Sequence, residues 1–265
     1  MDQDCPDCFA IAALYCFTDL PDADEWAERL RQEGERCHLS GTFIVAEEGV
    51  NGTVAAEKES LEQFLRIFDK DERFAKRSVK LSCASFDPFS RYKVKRKKEI
   101  VSFRQAVADP RQNVGKYIKP AEWNDLLTDP EILLVDTRND YEVEVGKFSG
   151  AVNPQTQNFT QFAQWVKENL DPQKHTKVAM YCTGGIRCEK ATSYLLHEGF
   201  REVYHLEGGI LQYLAEVPKE KSRWEGDCFV FDDRVAVDHH LRPTDWVMDN
   251  DLNWPVKIEK SPGRE

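Results

Sequence analysis

The stretch KVAMYCTGGIRCEKA, residues 177–191, constrains the fold of this chain more than any other. An apolar run ends at Cys182, two glycines follow, and a helical pattern begins soon afterwards. Gly184 and Gly185 allow backbone angles that a sharp turn requires and that other residues rarely adopt. A buried strand that turns directly into a helix is typical of a parallel sheet covered by helices.

The sequence around this stretch repeats the same alternation of short apolar strands and helices. Strands are predicted at 131–138, 177–182 and 202–206, and helices at 122–127, 159–170, 189–199 and 208–217. This order predicts a parallel sheet flanked by helices, in which ligands bind at the carboxyl ends of the strands. Cys182 lies at one of those ends.

The N-terminal part has a different order, β-α-β-β-α-β, which is that of a ferredoxin-like (acylphosphatase-like) domain. Strands are predicted at 10–17, within 39–56 (two strands) and at 77–86, and helices at 22–37 and 57–71. Within the strand pair, Asn51 and Gly52 of EEGVNGT are predicted to form the turn.

The chain is therefore predicted to combine an α+β and an α/β domain. The predicted segments are a ferredoxin-like domain at 1–102, a linker at 103–121, an α/β domain at 122–220 and a C-terminal extension at 221–265.

Composition limits the classes of protein to which the chain can belong. With 265 residues, 41% of them apolar, it is long enough for two globular domains. No apolar run reaches the ~18 residues of a membrane helix, and acids occupy the first positions, where a signal peptide carries Lys or Arg. We expect a cytoplasmic protein with no membrane partner, whose eight cysteines are reduced thiols.

Most of the cysteines give no sign of a metal site. Cys5 and Cys8 form a C-x-x-C with no further zinc ligand nearby, which favours an ordinary terminus. Cys16, Cys37 and Cys83 are expected to be packing residues. The sequence therefore predicts no metal site. No nucleotide or flavin motif occurs, so no cofactor is evident. The sequence identifies no protein partner.

The turn after Cys182 is suited to stabilise a negative charge. Its N–H groups turn inward, the following helix presents its positive end, and Arg187 adds a cation. These features lower the pKa of Cys182 and hold it as the reactive thiolate. The alternative is a buried structural cysteine in a Gly-rich turn.

A basic run stands out because the chain as a whole has a net charge of -11. Within RYKVKRKKEIV, the cations are Arg91, Lys93, Lys95, Arg96, Lys97 and Lys98. One interpretation is a charged edge strand that prevents aggregation. The other is a strip that binds the phosphates of a polyanion such as RNA.

Three motifs resemble the signatures of a rhodanese domain, in the same order: VDTRNDYEVEVGKFSGAVN at 135–153, YCTGGIRC at 181–188 and VYHLEGGI at 203–210. The resemblance implies that Cys182 carries sulfur as a persulfide. Four residues separate Cys182 from Arg187, as in the sulfur-transfer loop, whereas the related phosphatase loop has one more. Many rhodanese domains have a Gly-His pair where this chain has Gly146 and Lys147, so Lys147 is assigned no role.

The resemblance extends over nearly the whole chain. GTFIVAEEGVNGT, VKRKKEIV, YCTGGIRCEKA and FVFDDRVAV are similar to stretches of the rhodanese-containing tRNA uridine hydroxylases. That family implies tRNA as partner, hydroxylation of the wobble uridine to 5-hydroxyuridine, and molecular oxygen as co-substrate. Many members also have a cysteine-rich C-terminal tail, which we expect to be absent here.

With this resemblance, each candidate residue receives a role. Cys182 is the catalytic thiolate, and Arg187 stabilises its charge together with the loop N–H groups of Thr183, Gly184, Gly185 and Ile186. Asp136 and Arg138 support the loop or simply maintain the fold. Cys188 is either a resolving thiol that forms a disulfide with oxidised Cys182 or a small residue packed under the loop. The strip from Arg91 to Lys98 contacts tRNA.

Three functions remain open. The favoured one is a tRNA-modifying oxidoreductase that uses the rhodanese-loop cysteine. The alternative is a sulfurtransferase that carries sulfane sulfur as a Cys182 persulfide. The third is a non-catalytic RNA-binding module, which is disfavoured because Cys182, both loop glycines and Arg187 are all present.

Overall fold

The computed structural model of the chain describes residues 8–249 and 251–258. It divides into two compact units. The first contains the chain up to Arg104 together with Asp109–Asn113, and the second contains Gln105–Ala108 and the chain from Val114 onward. The boundaries at 102, 121 and 220 that the sequence analysis gives stay predictions. Cys5 of the C-x-x-C lies outside the described residues.

The first unit is a five-stranded sheet with two helices. Its elements are β1 (Phe9–Phe17), α1 (Ala23–Arg36), β2 (Ser40–Ala46), β3 (Gly49–Ala56), α2 (Lys58–Asp69), β4 (Ser78–Ala84) and β5 (Tyr92–Arg96), with a short 3-10 turn at Glu72–Phe74. The strand order is β4-β1-β3-β2-β5, in which β5 runs parallel to β2 and the other neighbours are antiparallel. The predicted β-α-β-β-α-β order is confirmed, and β5 is added at one edge.

Both helices of this unit pack on the same face of the sheet. Apolar residues recur at helical spacing along both helices, so that Trp26 and Phe64 face the strands. There they belong to the same core cluster as Phe43. Phe68 stacks on Trp26, with 5.8 Å between the ring centroids. Burial of these large rings supplies much of the apolar area that stabilises the unit.

Two predictions about this unit are wrong. The turn between β2 and β3 is formed by Glu47 and Glu48, and Asn51 and Gly52 lie inside β3. Gly49 supplies the positive φ of 134° that the end of the turn requires. Cys83 is exposed rather than packed, because β4 is an edge strand.

The second unit is built on a parallel sheet. Its elements are β6 (Lys116–Ile118), α3 (Pro120–Leu126), β7 (Ile132–Asp136), α4 (Asp140–Val145), β8 (Gly146–Phe148), α5 (Phe162–Asn169), β9 (Lys177–Tyr181), α6 (Ile186–His197), β10 (Glu202–Leu206), α7 (Gly209–Glu216), β11 (Trp224–Gly226), β12 (Cys228–Phe229), β13 (Ala236–Val237), β14 (Trp246–Asp249) and β15 (Trp254–Lys257), with 3-10 turns at Phe159–Gln161 and Lys219–Lys221.

The sheet order is β6-β10-β9-β7, and all three pairings are parallel, as predicted. Strand β6 lies within the segment predicted as a linker, where only three residues pair with β10. Such a short strand leaves no periodic pattern in the sequence.

Residues 224–237 continue the core of this unit. Strand β11 pairs with β8, and Trp224 and Cys228 belong to the same buried cluster as Phe148 and Tyr213. None of the helices in the described ranges is long and apolar enough to cross a membrane.

Candidate active site

The candidate site lies at the carboxyl end of β9, in the middle of the parallel sheet. Cys182 follows β9 directly, and Gly185 has a φ of 99°, which only glycine adopts without strain. Helix α6 therefore begins at Ile186, three residues before the predicted start at 189. The Gly185 N–H of the loop and the Arg187 and Cys188 N–H groups in the first turn of α6 face the sulfur.

The surroundings of the Cys182 sulfur favour the thiolate. The Gly185 N–H donates to Sγ at 3.1 Å, and the side chain is almost completely buried. Burial raises the pKa of Cys182, but a hydrogen bond from the Cys188 thiol, the charge of Arg187 and backbone N–H groups lower it to about 6. Cys182 is therefore mostly ionised at neutral pH.

Cys188 is the neutral partner of this thiolate. It is completely buried, its backbone N–H donates to the Gly185 carbonyl at 3.0 Å, and its Sγ lies 3.6 Å from Oγ1 of Thr137. Burial and the hydrogen bond to the Cys182 sulfur raise the pKa of Cys188 well above its usual value. The structure thus brings the two candidate sulfurs together, with Cys188 as the hydrogen-bond donor.

Arg187 forms a bidentate ion pair with Glu142. Its two terminal nitrogens lie 2.6 Å and 2.7 Å from the carboxylate oxygens, and both side chains are buried. Burial alone would raise the pKa of Glu142, but the guanidinium of Arg187 holds it below its usual range. The hydroxyl of Thr183 also donates to this carboxylate, at 3.3 Å. Glu142 therefore fixes both ends of the loop.

Sequence reasoning missed Glu142, although a local signal exists. Asn139 and Glu142 form a capping box at the start of α4, in which the Asn139 N–H donates to the Glu142 carboxylate at 3.0 Å. The pattern Asn-x-x-Glu predicts such a box. It does not reveal that the carboxylate also reaches a loop about forty residues away in the sequence.

Asp136 and Arg138 do not hydrogen-bond to the Cys182 loop. They form a buried ion pair of 2.6 Å, and Arg138 donates to the carbonyls of Glu142 at 3.1 Å and Gly146 at 2.7 Å. The guanidinium also lies 5.1 Å from the ring centroid of Trp224. The pair holds α4, the helix that carries Glu142.

The start of α7 is hydrogen-bonded to the backbone of the Cys182 loop. The N–H groups of Ile210 and Leu211 donate to the carbonyls of Cys182 at 3.0 Å and Thr183 at 3.1 Å. Gly209 has a φ of 67°, and a Cβ there would lie 2.5 Å from the Cys182 carbonyl oxygen. This close approach explains the second glycine of the pair in VYHLEGGI, and the first, Gly208, also has a positive φ, of 70°.

The basic strip, Arg91 to Lys98, lies in the first unit, partly on edge strand β5 (Tyr92–Arg96) and partly in the residues that flank it. Tyr92 and Val94 pack against the core, so Lys93 and Lys95 point to the opposite face of the sheet. Arg96 is engaged in ion pairs with Asp24 at 2.8 Å and Glu47 at 3.6 Å. Part of the strip is thus an edge strand, and this geometry is compatible with both interpretations of its charges.

Among the described residues, no group of three or more His, Cys, Asp or Glu side chains is arranged to hold a metal ion.

Comparison with known families divides the chain in the same way as its fold. Residues 9–100 match the UPF0176 acylphosphatase like domain, and residues 119–216 match the Rhodanese-like domain. The expected acylphosphatase-like and rhodanese-like folds are thereby confirmed.

Individual relatives are similar over different lengths. A tRNA uridine(34) hydroxylase from Picosynechococcus sp. is 49% identical over 251 residues, which cover 95% of this chain and 84% of that protein. The solution NMR structure of a rhodanese-like domain from Anabaena sp. is 18% identical, with a TM-score of 0.35, and covers 43% of this chain and 80% of that one. The crystal structure of a full-length protein from Lactobacillus plantarum is 25% identical, with a TM-score of 0.31, and covers 42% of this chain and 87% of that one.

The hydroxylase relative spans both units, including the Cys182 loop and the strip around β5. Such identity over nearly the full length, with both domain matches in order, means that the chain belongs to the rhodanese-containing tRNA uridine hydroxylase family.

Proposed function

We propose that this protein is a tRNA-modifying oxidoreductase that hydroxylates the wobble uridine of tRNA to 5-hydroxyuridine. The observation that carries the proposal is the Cys182 sulfur, whose pKa of about 6 makes it a thiolate at neutral pH, in a chain of this family. Cys182 is the catalytic group in this proposal, and Arg187 and the loop N–H groups of residues 183–186 stabilise its charge.

Molecular oxygen is the co-substrate in this proposal, and the electron balance gives Cys188 a role. Converting the C5–H of uridine to C5–OH uses one oxygen atom, and reducing the other to water takes two electrons and two protons. Two thiols supply both when they end as a disulfide. Uridine, dioxygen and the thiols of Cys182 and Cys188 then yield 5-hydroxyuridine, water and the Cys182–Cys188 disulfide.

The hydrogen bond between the two sulfurs supports this role for Cys188. In the sequence of events, one atom of dioxygen goes to uridine C5 and the other to the Cys182 thiolate, which becomes a sulfenic acid. The Cys188 thiol then attacks that sulfur, so the disulfide bond forms and the oxygen leaves as water. An external thiol reductant restores the pair by exchange. Peptide mapping after mild peroxide treatment is expected to recover a Cys182–Cys188 cross-link, and recovery of Cys182 in higher oxidation states alone would refute resolution by Cys188.

The basic strip is the proposed tRNA contact. Lys93 and Lys95 are two positions apart on edge strand β5, so both side chains project from the same face of the sheet. This spacing suits contact with successive phosphates. In a chain with a net charge of -11, a local strip of this kind supplies the attraction that the overall charge opposes.

A second candidate function rests on the size of the loop. Four residues between Cys182 and Arg187 form a tight turn, and Gly185 N–H already contacts the sulfur at 3.1 Å. Such a turn suits a single added sulfur atom. In that function the Cys182 thiolate attacks the outer sulfur of thiosulfate, sulfite leaves, and a Cys182 persulfide remains for transfer to an acceptor.

One experiment separates the two functions. The purified protein is incubated in air with tRNA lacking the wobble modification, and the digested nucleosides are analysed by mass spectrometry. A wobble uridine that gains one oxygen supports the hydroxylase, whereas a gain of sulfur, or unchanged tRNA together with strong thiosulfate activity, supports the sulfurtransferase. Cys182→Ser is expected to be inactive in both assays.

A further inference from the structure

Phe231 is an exposed aromatic residue beside the Cys182 loop. It lies in the turn between β12 and β13, and its exposed fraction is 58%. The Cζ atom of Arg187 lies 5.7 Å from its ring centroid, and the Phe229 ring packs against it nearly perpendicularly at 5.2 Å. The ring is thus held in place by two neighbours while much of it stays open to solvent.

Phe231 forms part of the wall of a cavity of about 370 Å³. The rings of Tyr141 and Phe229 and the side chain of Met248 supply further apolar lining, and Asp233 and Asn253 supply polar groups. A few polar groups set among aromatic side chains are typical of a site for a small flat ligand. Arg187 is not a lining residue, but its contact with the Phe231 ring connects the cavity with the Cys182 loop.

The charges of the cavity exclude a phosphate and suit an uncharged ring. Its lining residues include no lysine or arginine. Asp232 is already paired with Arg234 at 2.6 Å, and Asp233 contributes a further carboxylate. A phosphate would be repelled here, whereas a pyrimidine base is uncharged and has polar edges. In particular, the N3–H of uracil is a donor that matches a carboxylate acceptor.

We infer that this cavity receives the wobble pyrimidine base of the RNA substrate, stacked on Phe231. The inference rests on the proposed function, because it takes that uridine as the reacting group. Enzymes that modify a base turn it out of its stack into a pocket, and unstacked RNA bases bind aromatic side chains through their faces. The Phe231 ring on which such a base stacks also contacts Arg187, whose charge acts on the Cys182 sulfur.

The first test is a substitution series at Phe231, measured as kcat/KM for hydroxylation of an unmodified tRNA. Phe231→Ala and Phe231→Leu both lose the π-face, so kcat/KM is expected to fall about ten- to a hundredfold. Phe231→Tyr keeps the face and is expected to retain activity within about threefold of the wild type. Leu252→Ala, which removes another exposed apolar side chain (67% exposed) outside the cavity lining, serves as the control and is expected to be unchanged.

Two results of this series would overturn the inference. One is wild-type activity in Phe231→Ala. The other is a Phe231→Leu protein as active as Phe231→Tyr, which would indicate a merely apolar contact such as a peptide makes. Titration of the Cys182 thiolate in each variant checks folding and also shows whether loss of the Phe231–Arg187 contact has altered the loop.

A second test separates this inference from the proposed function. The full-length Cys182→Ser protein is irradiated with tRNA that carries 5-bromouridine at the wobble position, and the cross-linked peptide is identified by mass spectrometry. A cross-link to Phe231 or Tyr141 supports the inference even if the wild type proves inactive in hydroxylation. An active wild type whose cross-link maps to other residues would overturn the inference and leave the proposed function standing.

Discussion

The charge on the Cys182 sulfur depends on three neighbours that act in different ways. The Gly185 N–H and the Cys188 thiol donate hydrogen bonds, and Arg187 contributes a positive charge that is itself balanced by Glu142. Because Glu142 takes both arms of the guanidinium, Arg187 is positioned more by this ion pair than by the sulfur. The thiolate therefore depends on direct hydrogen bonds as well as on net charge.

The first prediction concerns the hydrogen bond from Cys188. The Cys182 pKa is about 6, below the ordinary thiol value of 9.0, so the thiolate is present above about pH 6 and lost as the pH falls through 6. Cys188→Ala removes a donor and is expected to shift this midpoint upward, whereas Cys188→Ser keeps a donor and is expected to shift it less. Thiolate absorbance near 240 nm, with Cys182→Ser subtracted, measures the midpoint. Equal pKa midpoints in the wild type, Cys188→Ala and Cys188→Ser would contradict a hydrogen bond from Cys188 to the Cys182 sulfur.

The second prediction concerns Glu142. Glu142→Gln leaves the buried Arg187 without its counter-ion, so the free energy of unfolding is expected to fall by about 3 kcal/mol. Glu144→Gln, an exposed position on the same helix, is the matched control and is expected to change stability by less than about 0.5 kcal/mol. Urea denaturation measures both. Similar stabilities for the two variants would show that the pair contributes nothing to the fold.

At this scale the sequence predicted the turn around Cys182 but not the full surroundings of the sulfur. Cys182, the two glycines and Arg187 are neighbours in the sequence, and their chemistry follows from the turn they form. Glu142 is about forty residues away, and nothing in its local sequence distinguishes a buried acid from an exposed one. Only the packing of α4 against the loop brings it to Arg187.

At the scale of elements, the strand and helix order was predictable because most elements have a clear period. Helices α1 and α2 bury one face, and β7, β9 and β10 are short apolar runs. Helix α4, with six residues, and the short strands after residue 220 were not predicted, because they are too short for a period to be visible. The Glu47–Glu48 turn was missed because Asn-Gly is the stronger turn signal.

The third prediction concerns the packing of α7 against the Cys182 loop. Gly209→Ala places a Cβ 2.5 Å from the Cys182 carbonyl oxygen, at a φ of 67°. The stability of the protein is expected to fall by about 2–4 kcal/mol, and the Cys182 pKa is expected to change as the loop shifts.

Gly150→Ala is the matched control for this change. Gly150 also has a positive φ, of 78°, but nothing lies within 4 Å of the added Cβ. A loss of about 1 kcal/mol with an unchanged Cys182 pKa is expected. If both variants left the Cys182 titration unchanged, the start of α7 would not position the loop.

At the scale of the whole molecule, the charge distribution gives the fourth prediction. Lys93→Glu with Lys95→Glu is expected to weaken tRNA binding at least tenfold and to reduce the slope of log K against log salt by about one to two. Fluorescence anisotropy with labelled tRNA over a salt series measures both quantities.

The control for this prediction makes the same change in net charge elsewhere in the first unit. Lys58 and Lys70 are exposed residues at the ends of α2, the helix on the core face of the sheet. Lys58→Glu with Lys70→Glu is expected to reduce binding much less and to leave the salt slope nearly unchanged. Equal losses in the two double variants would assign the strip to solubility alone.

The most direct test of the central claim follows the oxygen atom. The reduced protein and unmodified tRNA are incubated under ¹⁸O₂ without added reductant, and the wobble nucleoside and the cysteine peptides are analysed by mass spectrometry. The account predicts one ¹⁸O in the wobble uridine, one Cys182–Cys188 disulfide for each modified uridine, and no product with Cys182→Ser. Incorporation of ¹⁸O by the Cys182→Ser protein at the wild-type rate would contradict the assignment of Cys182 as the catalytic group.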